Sequence, residues 1–563
     1  MTGAAGGETA THGEGPRRPH DERFEKLIKD RFDRLMERSP LTATYLGIHE
    51  HDGRLADGSR EANEARIVED RRFLADLDLL DPEELSPAAR FDRELVIHGT
   101  RRGLFDLEEH RLWERRANAM EEVGDGLFLL LARDFAPLAD RLPSMASRLE
   151  ATPKVLRDHR ARAGDRRVRL WDEIELGQAD QIGTLFDEIT AAGADALGID
   201  SPEQRRLLKA ADDAKAAVAE YAEWLRSTLG DSGDDFELDR ERYDRLVALR
   251  EFDGLTSDEI LAIGEEQLAA NRAARAEVAK RIDADATEAE VVDRVKRDHP
   301  ADFDGALTAY RESMQRARQH VMERDLLTLP EGENLQVVET PRYLRNVLPF
   351  AAYFSPAKFD EGSGGIYVVT PSVDGDAGAM REHNLSSISN TSIHEAYPGH
   401  HVQLSAAMRH PSLARLLVDA PEFVEGWGMY SEQLMREHGF DDSPEHLVML
   451  YTDAIWRACR IILDVRMHRG DISVPEAIEF LIEQTGFERA NATAEIERYT
   501  YTPTYQLSYL LGKVMLLRLR DDEQRRLGDR FSLKRFHDAM LYAGSLPISY
   551  QRRVLAGEGS RGH

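Results

Sequence analysis

The chain has 563 residues, 41% hydrophobic and 32% charged, a balance that excludes a disordered protein and supplies apolar surface for a large core. Its formal net charge of −30 argues against nucleic acid or an anionic membrane as partner, because both need a basic face. Cys459 is the only cysteine, no apolar run nears the ~20 residues of a membrane span, and "MTGAAGGETATHGEGPRRPHDE" lacks a signal-peptide core, so the expected location is the cytoplasm.

Residues 1–20 carry Gly, Ala, Thr and His without periodicity and read as a disordered tail. Residues 21–330 read as an N-terminal helical region, amphipathic helix after amphipathic helix. "DERFEKLIKDRFDRLMERS", "DGLFLLLARDFAPLADRLPSMASRLE", "EQRRLLKAADDAKAAVAEYAEWLRSTL" and "SDEILAIGEEQLAANRAARAEVAKRID" all space apolar residues three and four apart. Thr256 or Ser257 caps the last of them. No fixed-period repeat is present, so a solenoid is not expected.

Residues 331–563 form a second region. Between about 335 and 372, "LQVVETP" and "GGIYVVTP" set β-branched residues between Gly and Pro, the pattern of short strands. Helices are then expected over 388–410, 424–437, 445–468, 475–484 and 505–520, and "SVPE" makes a capping box from Ser473 to Glu476. The expected class is mainly α, with a small sheet.

The stretch "TSIHEAYPGHHVQL" carries the chemistry. In an HExxH helix the two histidines are four apart and share a face, with the glutamate placed to act on a metal's water. Here Pro398 stands where the second histidine would be, and His400 and His401 follow. On an unbroken helix at ~100° per residue, 400 would lie about 120° from His394 and 401 about 20°, which favours His401. Pro-Gly makes an unbroken helix unexpected, and a local bulge swings His400 into range, so either histidine serves as second ligand. Without more, the stretch also reads as a plain helix–turn–helix joint.

Three features weigh against that plain reading. "EFVEGWGMYSEQL" puts Glu425 25 residues beyond His400 among Phe423, Val424, Trp427, Met429 and Tyr430, where a carboxylate is costly to bury unless paired or metal-bound; Glu432 is its rival. "EHLVMLYTDAIWRACRIILDVRMHRG" carries Arg460, Asp464 and His468 at four-residue steps, with Arg457 beside them. That stripe is either a structural ion-pair ladder or a wall of the substrate cleft, with an arginine for a carboxylate. "ERYTYTPTYQLSYLLGK" gathers Tyr499, Tyr501, Tyr505 and Tyr509, any of which can donate to an oxyanion.

"HEAYPGHHVQ" together with "EGWGMYSE" resembles the hallmark of the bacterial family called domain of unknown function 885. That family is similar to the helical gluzincin metallopeptidases, which have a mostly helical body, a deep central channel, and zinc held by two histidines and a glutamate. The resemblance implies one zinc ion on His394, His400 and Glu425, with Glu395 as general base. It favours His400 over His401, and, through the tyrosine and glycine of "YLLG", Tyr509 as oxyanion donor. It further implies a zinc-dependent peptidase for short peptides, with "GGIYVVTP" as an edge along which a peptide lies, and the helical stripe then supplies Arg460, Arg457 or His468 to hold the peptide's carboxylate or backbone. Two alternatives stand beside this: a zinc hydrolase of a non-peptide C–N bond in a small amide, and a metal-free helical binding protein with a degenerate site.

Overall fold

Amphipathic periodicity becomes helix along most of the chain in the computed structural model, which describes residues 18–340, 345, 351–360, 364–371 and 379–559. The expected tail lies outside the described residues as far as residue 17. The first helix, Pro19–Arg38, opens two residues before the expected boundary at 21. Thr256 caps Ser257–Ile282 and Ser473 caps Val474–Thr485, each with a complete capping box. "DGLFLLLARDFAPLADRLPSMASRLE" forms two helices, Ala119–Ala132 and Leu138–Arg162, parted just before Pro137, which caps the second.

Ala119–Ala132, Leu138–Arg162, Arg169–Leu197 and Pro202–Thr228 share a core built on Leu127, Leu149, Phe186 and Leu225. A larger core runs from Phe105, Leu238 and Ile260 to Trp427, Leu511 and Ile548, and so crosses position 330. Ser257–Ile282 packs along Pro444–His468, with Gly264 in contact range of Ile461. Trp171 adds a polar tie, its indole N–H donating to Thr500 Oγ1 at 2.8 Å. Among the described residues no helix is long and apolar enough to cross a membrane.

The sheet has three strands, β1 (Leu335–Glu339), β2 (Ala351–Phe354) and β3 (Gly365–Val369), in the order β1-β3-β2. β1 runs parallel to β3 with Leu335 opposite Gly365, and β2 antiparallel with Ala351 opposite Val369. β2, "AAYF", carries no β-branched residue and gave no strand signal. β3 is the central strand, with both edges paired, so it has no free edge for a peptide and that expectation is corrected. Its apolar run, with Val368 and Val369 buried, suits the middle of a sheet. The sheet lies beside the helix Leu385–Glu395, which carries the first half of the site.

Candidate metal centre

Asn384 starts that helix, its side chain accepting from Ser387 N at 2.9 Å, and the helix ends on His394 and Glu395. Pro398 has no amide to continue it. Gly399 N instead reaches back to Ile393 O at 3.0 Å, and the Tyr397–Pro398 peptide is cis. A Cβ on Gly399 would overlap the carbonyl oxygens of Ile393 and His394, so this return of the chain requires glycine. Helix resumes as His400–Ala407, and the single helix expected over 388–410 is two. The break decides between the histidines: the His394 and His400 rings lie 4.7 Å apart, centroid to centroid, and nearly perpendicular.

The opposing helix, Pro421–Glu437, completes the group. Glu425 Oε2 lies 3.6 Å from His394 Nε2 and 3.3 Å from His400 Nε2, and one donor atom from each of the three falls within 4.8 Å of the others. Glu432 takes the other nitrogen of His394: Nδ1–H donates to its Oε1 at 2.7 Å. The rival third ligand therefore orients a histidine, the usual place of a carboxylate behind a metal-bound imidazole. Gly428, between the two glutamates, lies under the ring; a Cβ there would come within 2.6–2.9 Å of three atoms of His394. Trp427 donates its indole N–H to Pro398 O at 2.8 Å, which ties this helix to the Pro-Gly return.

Burial opposes charge on His394, yet Glu425 and Glu432 raise its pKa to about 10. Burial works the other way on Glu425, and His394 and His400 hold it well below the ordinary carboxylate range. Burial pushes Glu395 up, only partly offset by the two histidines. His400 Nδ1 is buried with no hydrogen-bond partner. Three carboxylates crowding two imidazoles in a buried pocket lack positive charge, and two imidazole nitrogens plus a carboxylate oxygen suit zinc or a similar divalent ion.

His401 does not join this group, which corrects the alternative ligand. Its Nε2–H donates to Glu333 Oε2 at 2.9 Å and its Nδ1 accepts from Tyr353 OH at 3.0 Å, so both nitrogens are engaged. Glu333 also accepts from Arg318 Nε at 2.9 Å and from the Tyr397 hydroxyl. Nothing in the sequence around "EGEN" marks Glu333, because Arg318 lies 15 residues before it and Tyr397 and His401 lie 64 and 68 residues after it.

Tyr505 stands closer to the group than Tyr509, its hydroxyl donating to Glu425 Oε1 at 3.1 Å. Tyr509 OH is 3.5 Å from Tyr505 OH. Arg460 is buried, with its guanidinium 4.0 Å from the Tyr509 ring centroid and a hydrogen bond to Gln506 Oε1 at 2.5 Å. Arg457 lies 6.0 Å from the same ring and 3.8 Å over Trp456. His468 is turned elsewhere, a further correction: it is fully buried, donates from Nε2 to Tyr499 O at 3.0 Å, and packs beside Phe236 and Tyr243. Asp464 is structural too, accepting from Tyr243 OH at 2.6 Å and from Thr504 N.

The model of a family described as a bacterial protein of unknown function (DUF885) matches residues 40–555. The chain belongs to that family. No curated protein matches it. Two solved structures are similar to this DUF885 chain. One is a candidate lipoprotein of unknown function from Shewanella oneidensis, 23% identical, covering 95% of this chain and 99% of its own, with a TM-score of 0.78. The other is a candidate lipoprotein from Colwellia psychrerythraea, 18% identical, covering 96% and 99%, with a TM-score of 0.81. At those identities the likeness concerns the fold. The matched span of the DUF885 chain contains every residue of the His394, His400 and Glu425 group.

Proposed function

We propose that this DUF885 chain is a zinc-dependent peptidase of short peptides, related in its site to the helical gluzincins. The observation that carries the reading is the convergence of His394, His400 and Glu425, with Glu395 adjacent to the first and Glu432 behind it. His394, His400 and Glu425 would hold one ion. Bound there, zinc supplies a Lewis acid that polarises a carbonyl and eases ionisation of a water.

The chain's own groups do the rest. Glu432 keeps the proton of His394 on Nδ1 and leaves Nε2 free to face the pocket. Glu395, raised by burial, is suited to take a proton from the attacking water and hand it to the departing amine. Tyr505 and Tyr509 bring two phenolic O–H donors to the side of Glu425, where the oxyanion of a tetrahedral intermediate needs them.

Elemental analysis of untagged wild type and of His394→Ala, His400→Ala, Glu425→Ala and His401→Ala tests the ligand set, and a peptide library tests the activity. The expected result is about one zinc per wild-type chain, lost in the first three variants and kept in the fourth, with Glu395→Gln retaining zinc but losing turnover by ~100-fold or more. A wild type without metal after reconstitution would sink the proposal.

A further inference from the structure

We propose that Arg457 is the anchor for a free C-terminal carboxylate, which makes this chain an exopeptidase that removes short C-terminal pieces. The inference rests on the peptidase reading for the site it serves. It begins from a contrast between two arginines one turn apart on Pro444–His468.

Arg460 is engaged. It is buried, hydrogen-bonded to Gln506, and set against the rings of Tyr509, Tyr499 and Trp456. Its role is to fix the tyrosine wall. Arg457 is half-buried and, among the described residues, has neither a hydrogen bond nor an ion pair; only the faces of Trp456 and Tyr509 flank its guanidinium. Asp453, one turn earlier and influenced by Arg457, does not reach salt-bridge distance. In a chain with 104 acidic and 74 basic residues, an enclosed arginine that meets no carboxylate is open to one from outside. A planar fork of donors, flanked by rings and partly dehydrated, binds a carboxylate with two parallel hydrogen bonds, which a C-terminal amide or a continuing chain cannot reproduce.

Position sets the cleavage site. The Tyr509 ring centroid lies 6.0 Å from that of Tyr505, which touches Glu425, and 6.0 Å from the Arg457 guanidinium, so Arg457 is at most two such steps from the Tyr505 ring. An extended residue spans ~3.3–3.6 Å, so roughly one to three residues bridge the metal group to Arg457. A carboxylate on Arg457 therefore brings a peptide bond near the C-terminus to the Glu425 side of the metal group, and an endopeptidase would have no use for such an anchor.

The test is calorimetric binding of the tripeptide Gly-Phe-Ala and of its C-terminal amide to the zinc-loaded protein with Glu395→Gln, so that neither is consumed. The free acid is expected to bind at least tenfold more tightly than the amide, and adding Arg457→Ala or the volume-preserving Arg457→Met is expected to erase that preference. Equal binding of acid and amide in the protein with Arg457 intact would overturn the proposal, as would a preference that survives both substitutions. The first comparison needs no change at Arg457, so a misfolded variant does not decide it. Turnover by the wild type is scored separately: a preference for the acid without hydrolysis of any peptide rejects the peptidase reading and leaves Arg457 as a carboxylate site.

Discussion

Glu432 and His468 show how differently two buried polar residues of one region act. Glu432 meets the nitrogen of His394 that faces away from the pocket, so removing it leaves the ligands in place but loosens one of them. Glu432→Ala is expected to weaken zinc binding by ~10–100-fold in a chelator competition, and Glu432→Gln, which still accepts the hydrogen bond, by less. His468→Ala is expected to leave metal content unchanged and lower stability by ~1–3 kcal/mol in denaturant unfolding, since it strands the Tyr499 carbonyl. Burial holds the pKa of His468, and that of His537, at about 4. An unfolded histidine protonates near 6.5, so between about 6.5 and 4 the unfolded state binds more protons, and stability is lost as pH falls through that window. Thermal melts of chelator-treated protein should show the decline, and His468→Gln with His537→Gln should flatten it. At this scale the family hallmark marked His394, His400, Glu425 and Glu395, whereas helical spacing alone pointed to His401 in place of His400. The sequence could not show that Arg460 meets the Tyr509 ring while His468 meets Phe236 and Tyr243, because two residues eight apart on a long helix share a stripe while the neighbours packed on that stripe change along it.

The elements of the site are held at close range by glycines. Gly426 on Pro421–Glu437 and Gly512 on Leu510–Leu527 meet backbone to backbone; a Cβ on Gly426 would come 2.6 Å from the carbonyl carbon of Gly512. Gly428, on the same helix, gives its missing side chain's space to the His394 ring. These two positions predict different failures. Gly426→Ala should separate the helices and cost ~1–3 kcal/mol of stability with the ligands still able to gather, whereas Gly428→Ala should displace the imidazole and cut zinc affinity by at least tenfold. Melting temperature and metal content measured on both variants separate the outcomes. Helix existence was readable from periodicity and caps, as with Thr256 and Ser473. The break at 396–399 was readable only as a conflict between Pro-Gly and the helical pattern. Which way it turned His400 depended on Trp427 and Gly399, whose contacts close through space.

Across the whole molecule, the larger core takes residues from both sides of position 330, so the C-terminal region shares an interior of which about a third comes from the segments that precede it. Residues 331–563 expressed alone are expected to give no cooperative melt and no stoichiometric zinc, although they contain all three donor residues; circular dichroism and elemental analysis check this. Composition and length pointed to a large helical body, and texture pointed to the strands around 335–372, but the sharing of one core between the two regions is a tertiary fact with no local signature. That sharing also orders events during synthesis. Ile260, Ile263 and Leu307 leave the ribosome well before Trp427, Leu511 and Ile548, which belong to the same core. At roughly 5–20 residues per second, the delay from Leu307 to Leu511 alone leaves this core without its last members for on the order of ten seconds or longer. The shared core thus closes only as translation nears its end.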